Sequence, residues 1–182
     1  MSKAIGMAEF VTVSEGIAAA DRMIKTAEVE VLEAQTVCPG KYMIIISGEL
    51  SAVNASIEAV KTFHPQKLLD SFVFGNPHDS IFPAIYSTAK VDQPEALGVM
   101  ETFSVASAIV AADTAAKTSL VELIELRLAR GMCGKSYLML TGSVAAVAAA
   151  IERAADEASV HGMFLDSTVI PNPDKKLWNT IL

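Results

Sequence analysis

The sequence predicts an α+β protein made of two tandem copies of one domain, each with the element order β-α-β-β-α-β. Two observations lead to this prediction. Residues 4–37 align with residues 96–129 without a gap and share thirteen identities in thirty-four positions, where average composition gives roughly two or three. Each half also alternates strand-like and helix-like hydrophobic periods in the same order. Of the 182 residues, each copy takes about ninety, enough for a small core.

The first copy contains a strand, a helix, two strands around a turn, a second helix and a last strand. Ser14 is a suitable N-cap for the first helix, because its hydroxyl can accept a bond from the free N–H groups of the first turn. Pro39-Gly40 breaks the chain between the two middle strands. The predicted elements cover residues 4–11, 14–27, 29–34, 42–46, 51–63 and 68–74.

The second copy repeats this order with two short insertions. The spacing between equivalent residues grows from 92 to 94 at Gly134, which matches Gly40, and to 96 at Asp166, which matches Asp70. The insertions therefore fall in loops, where they are tolerated. The predicted elements are strands over 96–103, 121–128, 137–141 and 163–170, and helices over 105–118 and 144–158, with a short C-terminal helix packed through Trp178.

We place the first domain at residues 1–88 and the second at residues 93–182, with Pro94 near the linker. The order β-α-β-β-α-β is the split βαβ of ferredoxin-like folds. Because such folds carry many unrelated functions, topology alone does not determine activity.

Composition excludes several classes of partner. The net charge of −7 and the pI near 4.9 argue against nucleic acid, whose binding needs clustered Lys and Arg. The chain is 52% hydrophobic with a mean hydropathy of +0.40, but no apolar run is long enough to cross a membrane. We expect association between copies to bury this surplus. The N-terminus has no signal-peptide pattern, so we expect a cytosolic protein.

Short motifs that recur in order in both copies resemble the shell proteins of bacterial microcompartments. Each motif is weak alone, but the ordered set covers nearly the whole chain. The closest resemblance is to tandem-domain shell proteins of propanediol-utilisation compartments, in which a Cys-Pro-Gly-Lys turn binds an iron-sulfur cluster. The motifs are residues 21–25, 30–31, 39–41, 48–53 and 76–78 of the first copy and residues 113–117, 122–123, 134–135, 142–147 and 172–173 of the second.

This resemblance implies a homotrimer of two-domain chains that forms a pseudohexameric tile with a central pore. The tile would lie in a microcompartment shell in the cytoplasm and pack beside other shell proteins. It further implies a [4Fe-4S] cluster shared by three copies of Cys38, for electron transfer with an encapsulated or cytosolic redox enzyme. The implied pore-loop residues are Pro39, Gly40 and Lys41 with Met132, Cys133 and Gly134.

On its own, Cys38 before a turn is typical of a small, partly buried apolar side chain. A [4Fe-4S] cluster commonly takes four thiolates, and this chain has only Cys38 and Cys133. Three copies of Cys38 on a threefold axis would supply three ligands. Aligning Gly134 with Gly40 places Met132 opposite Cys38, so we do not expect Cys133 to be an equivalent ligand. We expect a packed free thiol there, and an auxiliary thiol close to the pore is the alternative.

Lys25 and Lys117 each follow an Asp by four residues, which permits an exposed ion pair. By resemblance, we interpret them as edge lysines through which tiles pack side by side. His64, and acidic pairs such as Glu122 and Glu125, are interpreted as solvated.

No catalytic motif is visible, so we expect no enzyme. Two alternatives to the cluster-bearing tile stay open. One is a cluster-free tile whose pore conducts small metabolites, and the other is a soluble ferredoxin-like regulatory module.

Overall fold

A computed structural model describes residues 4–182 and confirms the α+β fold with two four-stranded sheets. The chain divides into two compact units, Met1–Pro77 and His78–Leu182, whereas the sequence placed the end of the first domain at residue 88. The strands are β1 to β8, at Ala4–Phe10, Glu30–Val37, Lys41–Gly48, Leu68–Phe74, Ala96–Thr102, Glu122–Leu128, Ser136–Gly142 and Phe164–Ile170. The helices are α1 to α6, at Val13–Thr26, Leu50–Phe63, Ile81–Ile85, Val105–Thr118, Val144–Val160 and Lys175–Ile181.

The two sheets have the same topology. Their strand orders are β2-β3-β1-β4 and β6-β7-β5-β8, and every neighbouring pair is antiparallel. Even the irregularities repeat, because register shifts fall between Val31 and Glu33 on β2 and between Leu123 and Glu125 on β6. The ferredoxin-like prediction is therefore confirmed in both units, and the structure adds a β-bulge at the same place in each.

Alternation along the strands places the core of the first unit between one sheet face and two helices. Ala8 on β1 and Ile44 on β3 pack with Met23 of α1 and Ile57 of α2, and all four side chains are fully buried. These residues cluster because every second side chain of a strand, and every third or fourth side chain of a helix, points to the same side. Trp178 of α6 is buried against Leu97 and Ile124 of the second sheet, so the predicted packing of the C-terminal helix is confirmed.

Two local predictions differ from the structure. Helix α1 begins at Val13 with Thr12 as N-cap, so Ser14 lies inside the helix, and Thr12 supplies no capping side-chain bond. Helix α3 was not predicted, because five residues cannot show a helical period and such a short helix depends on tertiary packing. It packs against β6 and α4, and therefore belongs to the second unit.

Within residues 4–182, no helix is long and apolar enough to cross a membrane.

Candidate functional site

The predicted ligand Cys38 lies in a tight turn between β2 and β3. Val37 and Lys41 are the last paired residues, which leaves only residues 38–40 in the turn. The backbone N–H of Gly40 donates to the carbonyl of Val37 at 3.0 Å and closes the turn. Cys38 is half-buried, whereas Pro39 and Gly40 are exposed. The hairpin therefore presents one sulfur beside an exposed tip.

Gly40 has a φ of +90°, a conformation that side-chain-bearing residues rarely adopt. A Cβ atom built there would meet no heavy atom within 4 Å. The backbone conformation, and not crowding, thus requires glycine at residue 40. Within residues 4–182, no other part of the same chain fills the space beside the turn at this residue.

An ion pair holds the base of this turn. Lys41 Nζ lies 2.8 Å from Glu9 Oε1, and both side chains are mostly buried. The second unit carries the equivalent pair, Lys135 and Glu101, but its N–O distance is 3.9 Å and its side chains are more exposed. Since partial burial reduces solvent screening, the first turn has the stronger electrostatic anchor.

The corresponding loop of the second unit is longer, as its insertion predicts. It spans residues 129–135, seven residues against three in the first unit. Its backbone is left-handed at Ala129, Gly131, Cys133 and Gly134. Residue 129 is nonetheless fixed, because its N–H donates to Ser136 Oγ at 3.2 Å and its side chain is fully buried.

Hydrogen bonding relates the two cysteines in a way that the alignment does not. The N–H of Lys135 donates to the carbonyl of Met132 at 3.1 Å, so Cys133 is the second residue of a closed turn, the place that Cys38 holds in its own turn. Cys133 differs in having a φ of +52° and an exposed side chain. Within the single chain the thiol of Cys133 is therefore exposed and not packed, because the longer loop turns it outward.

No group of three or more His, Cys, Asp and Glu side chains that could hold a metal ion occurs within residues 4–182. A single chain thus supplies Cys38 as one sulfur at an open turn. Thiolate sulfur is the donor that iron-sulfur clusters take. The residues present fit such a cluster only if further copies of the chain bring their own Cys38 to the same point.

The two predicted edge lysines lie in matching ion pairs. Lys25 Nζ is 2.7 Å from Asp21, and Lys117 Nζ is 2.7 Å from Asp113. Asp113 is almost buried because its Oδ1 also accepts the backbone N–H of His78 at 2.7 Å. The lysines stand at helix ends, where their positive charge also favours the C-terminal dipole.

The interpretation of Glu125 as solvated is wrong. It is 8% exposed, and its carboxylate accepts bonds from Arg127, from the Tyr137 hydroxyl at 2.8 Å and from Ser87 Oγ at 3.3 Å. The Glu-x-Arg spacing on one strand face was the available signal, since i and i+2 lie on the same side of a strand. The burial itself depends on α3, which lies against β6.

The histidine His64 is also not solvated. Its Nδ1 lies 2.8 Å from Glu15 Oε1, and its ring meets Phe10 edge-on at 6.3 Å. Its Nε2 is buried and has no hydrogen-bond partner. Contacts between α1, β1 and the end of α2 decide this environment, which sequence spacing does not reveal.

The repeated β-α-β-β-α-β sheets and their paired turns define a domain class. A model of the BMC domain family matches residues 4–77 and 96–173. The chain therefore belongs to the BMC domain family, with two such domains in tandem.

Among its relatives, the chain is 37% identical to the bacterial microcompartment shell protein PduT of Citrobacter freundii over 182 residues, which cover 100% of this chain and 99% of PduT. A crystal structure of a microcompartments protein from Desulfitobacterium hafniense matches with a TM-score of 0.95 and 44% identity, over 98% of this chain and 99% of that one. The carboxysome shell protein CcmK1 of Synechocystis is 29% identical over 96 residues, 49% of this chain and 86% of CcmK1.

These matches, together with the fold, make the chain a structural protein of a bacterial microcompartment shell. Shell proteins of this kind assemble with one another, and the predicted family and location are confirmed.

Proposed function

We propose that the chain forms a homotrimeric, pseudohexameric shell tile in which Cys38 from three copies holds a [4Fe-4S] cluster at the central pore. The observation that carries this proposal is the position of Cys38. It occurs once per chain, in a three-residue turn whose outer side is open. The loop of the second unit also closes a turn at Cys133, but this loop has seven residues and gives Cys133 a φ of +52°, so the short three-residue turn is not repeated.

The proposed trimer gives the cluster three thiolates from one sequence position. In a closed ring of identical chains, every copy offers the same surface to the axis. The short turn limits how far the sulfur can move, and the Glu9–Lys41 pair fixes the first residue of β3. Three hairpins of this kind would hold three sulfurs in equivalent positions.

When bound, the cluster would supply one-electron transfer, at a potential set by solvent exposure and by hydrogen bonds to its sulfurs. The residues of the chain itself would bind and orient the cluster. Cys38 provides the sulfur, Pro39 restricts the backbone beside it, and Gly40 permits the left-handed turn. A redox enzyme inside or outside the compartment would be the electron partner.

The test compares wild type with Cys38→Ser after anaerobic purification and reconstitution. We expect brown wild-type protein with iron and acid-labile sulfide near four atoms each per three chains, which is the stoichiometry of one shared [4Fe-4S] cluster. The reduced form should give an electron paramagnetic resonance signal. Cys38→Ser should be colourless and should keep the mass of the trimer in light scattering.

Cys133→Ser is the matched control, because it removes the other thiol and leaves the short turn intact. It should keep the colour and the resonance signal. A wild type that stays colourless after reconstitution while it keeps the trimer mass would refute the cluster and favour a tile whose pore conducts small metabolites.

A further inference from the structure

A short segment after β4 covers one face of the second unit. Three hydrogen bonds fix it there. The N–H of His78 donates to Asp113 on α4 at 2.7 Å, Ser87 Oγ donates to Glu125 on β6, and Arg130 Nη2 donates to the carbonyl of Ile85. Residues 78–88, called the covering segment below, are thus tied along their length to α4, to β6 and to the loop after β6.

The covering segment also packs through apolar side chains. Ile81, Ala84 and Ile85 of α3 are completely buried, and α3 lies against both β6 and α4. Removing apolar surface from water stabilises such packing. The α4–β6 face of the second unit is therefore a packing surface that the covering segment occupies.

The equivalent face of the first unit, formed by α1 and β2, is open in the single chain. The Asp21 side chain is 61% exposed, although its counterpart Asp113 is 7% exposed. Ile17 is 54% exposed, whereas the equivalent Ile109 is fully buried. On the edge strand, Ala34 is exposed where the second unit has a fully buried leucine.

The sequence contains one other segment of the covering type. Residues 172–181 follow β8 as residues 76–85 follow β4, at the constant offset of 96, and both begin with Asn-Pro. Both also form a short helix, α3 in one case and α6 in the other. Trp178 anchors α6 on its own sheet, whereas Leu177, the counterpart of Ile81, is 38% exposed.

We propose that the α1–β2 face of the first unit, with Ile17, Asp21 and Ala34, is the docking surface for residues 172–181 of a second copy of this chain. The inference rests on the homotrimer proposed above and names the contact that would build it. Each chain covers its own second unit and leaves the α1–β2 face open, and its α6 keeps Leu177 partly exposed although Trp178 is buried. Such a head-to-tail contact repeats from copy to copy and ends only when a ring closes.

Charge supports this occupant. Helix α6 begins with Lys175 and Lys176, where the covering segment has Asp79 and Ser80. The open face carries Asp21, whose carboxylate already pairs with Lys25 at 2.7 Å, and the chain as a whole is acidic. The two lysines at the start of α6 would add to this pairing in the docked position, and opposite charges across an interface guide orientation.

The test uses disulfide capture in full-length protein that carries Cys38→Ser and Cys133→Ser. The pair Asp21→Cys with Asp174→Cys occupies the positions equivalent to Asp113 and His78. We expect mild oxidation to link most chains into a covalent trimer on a non-reducing gel, with each single variant remaining at the mass of one chain. The pair His78→Cys with Asp113→Cys is the geometric control and should close within one chain.

The outcomes separate the two proposals. A trimer mass in light scattering without links between residues 21 and 174 would overturn the docking surface and leave the trimer standing. A protein that stays at the mass of one chain would overturn both. Ile17→Asp should lower the assembled mass without changing the circular dichroism spectrum. Val160→Asp, at a position that is 77% exposed on α5, is the matched control and should leave the mass unchanged.

Discussion

At the scale of single residues, the second unit contains a polar network around Glu125. Burial pushes the pKa of Glu125 upward, but hydrogen bonds from Arg127 and Tyr137 outweigh burial and hold this pKa below the ordinary glutamate value. Burial and the bond to Glu125 raise the pKa of Tyr137 to about 12. The first unit has a reduced version, in which Gln35 donates to Glu33 at 2.7 Å. The network thus distinguishes the unit that is covered by residues 78–88.

Replacing Glu125 by Gln should destabilise the second unit in a pH-dependent way. A lowered folded-state pKa means that the ionised carboxylate stabilises the fold above the unfolded pKa, and that this contribution is lost as pH falls through the folded value. At neutral pH we expect Glu125→Gln to lower the free energy of unfolding by about 2 kcal/mol, typical of bonds to a charged group. Denaturant titrations at several pH values measure this difference.

The difference between wild type and Glu125→Gln should begin to shrink near the ordinary glutamate pKa of about 4.3 and should disappear only once pH has fallen through the lower pKa of folded Glu125. The exposed Glu122 on the same strand provides the control, since Glu122→Gln should change little at any pH. A loss of stability in Glu125→Gln that does not change with pH would contradict the argument.

At the scale of elements, close contact between the first strand and the second helix is built into both copies. A Cβ atom on Gly6 would lie 2.7 Å from Val53 Cγ1, and one on Gly98 would lie 2.8 Å from Val147 Cγ1. Both distances are shorter than packed carbon atoms tolerate. The glycines let α2 and α5 approach their sheets, so this repeated residue has a packing reason in addition to its place in the duplication.

The substitution Gly6→Ala should therefore destabilise the first unit by about 1–3 kcal/mol, the usual effect of overpacking a core. Thermal and denaturant unfolding measure the change. Gly75→Ala is the matched control, because a Cβ atom there meets its nearest neighbour at 3.8 Å, an ordinary contact. Equal effects of the two substitutions would show that backbone entropy and not crowding is responsible.

At the scale of the whole molecule, the duplication is nearly exact in topology and unequal in detail. Strand order, bulge positions and helix–strand glycines agree between the units. The β2–β3 turn and the β6–β7 loop differ in length, and the α1 and α4 faces differ in burial. The inequality gives each chain one three-residue turn with Cys38 and one exposed α1–β2 face, the two features that the proposed ring of three chains uses.

Association between tiles belongs to this scale as well. The double variant Lys25→Ala and Lys117→Ala removes two i,i+4 pairs. The exposed Lys25 pair is worth only a few tenths of a kcal/mol, and the almost buried Asp113 keeps its bond from the His78 N–H, so we expect the fold and the mass of the proposed tile to be unchanged. If these lysines lie at the tile edge, wild type should form extended sheets in electron micrographs and the variant should not.

The control for this test is Lys61→Ala, which breaks the comparable ion pair with Glu58 on α2. It should leave sheet formation intact. Sheets of normal order from the double variant would refute the edge assignment, and loss of sheets in both variants would show a general effect of charge.

Much of the fold could be predicted from the sequence because its signals are local. Strand alternation, helical spacing, the Pro39-Gly40 turn and the repeat of residues 4–37 depend only on neighbours along the chain. Two errors, the N-cap at Ser14 and the missing α3, concern a helix boundary and a helix too short to show a period.

The sequence by itself determined the duplication, the order of elements and the single Cys-Pro-Gly-Lys turn, since these follow from local backbone preferences. Only the tertiary structure decided that Glu125 and His64 are enclosed, that Cys133 points outward and that α3 belongs to the second unit. The physical reason is that burial is a property of contacts between distant segments. Equivalent residues such as Asp21 and Asp113 therefore acquire different surroundings from nearly the same local sequence.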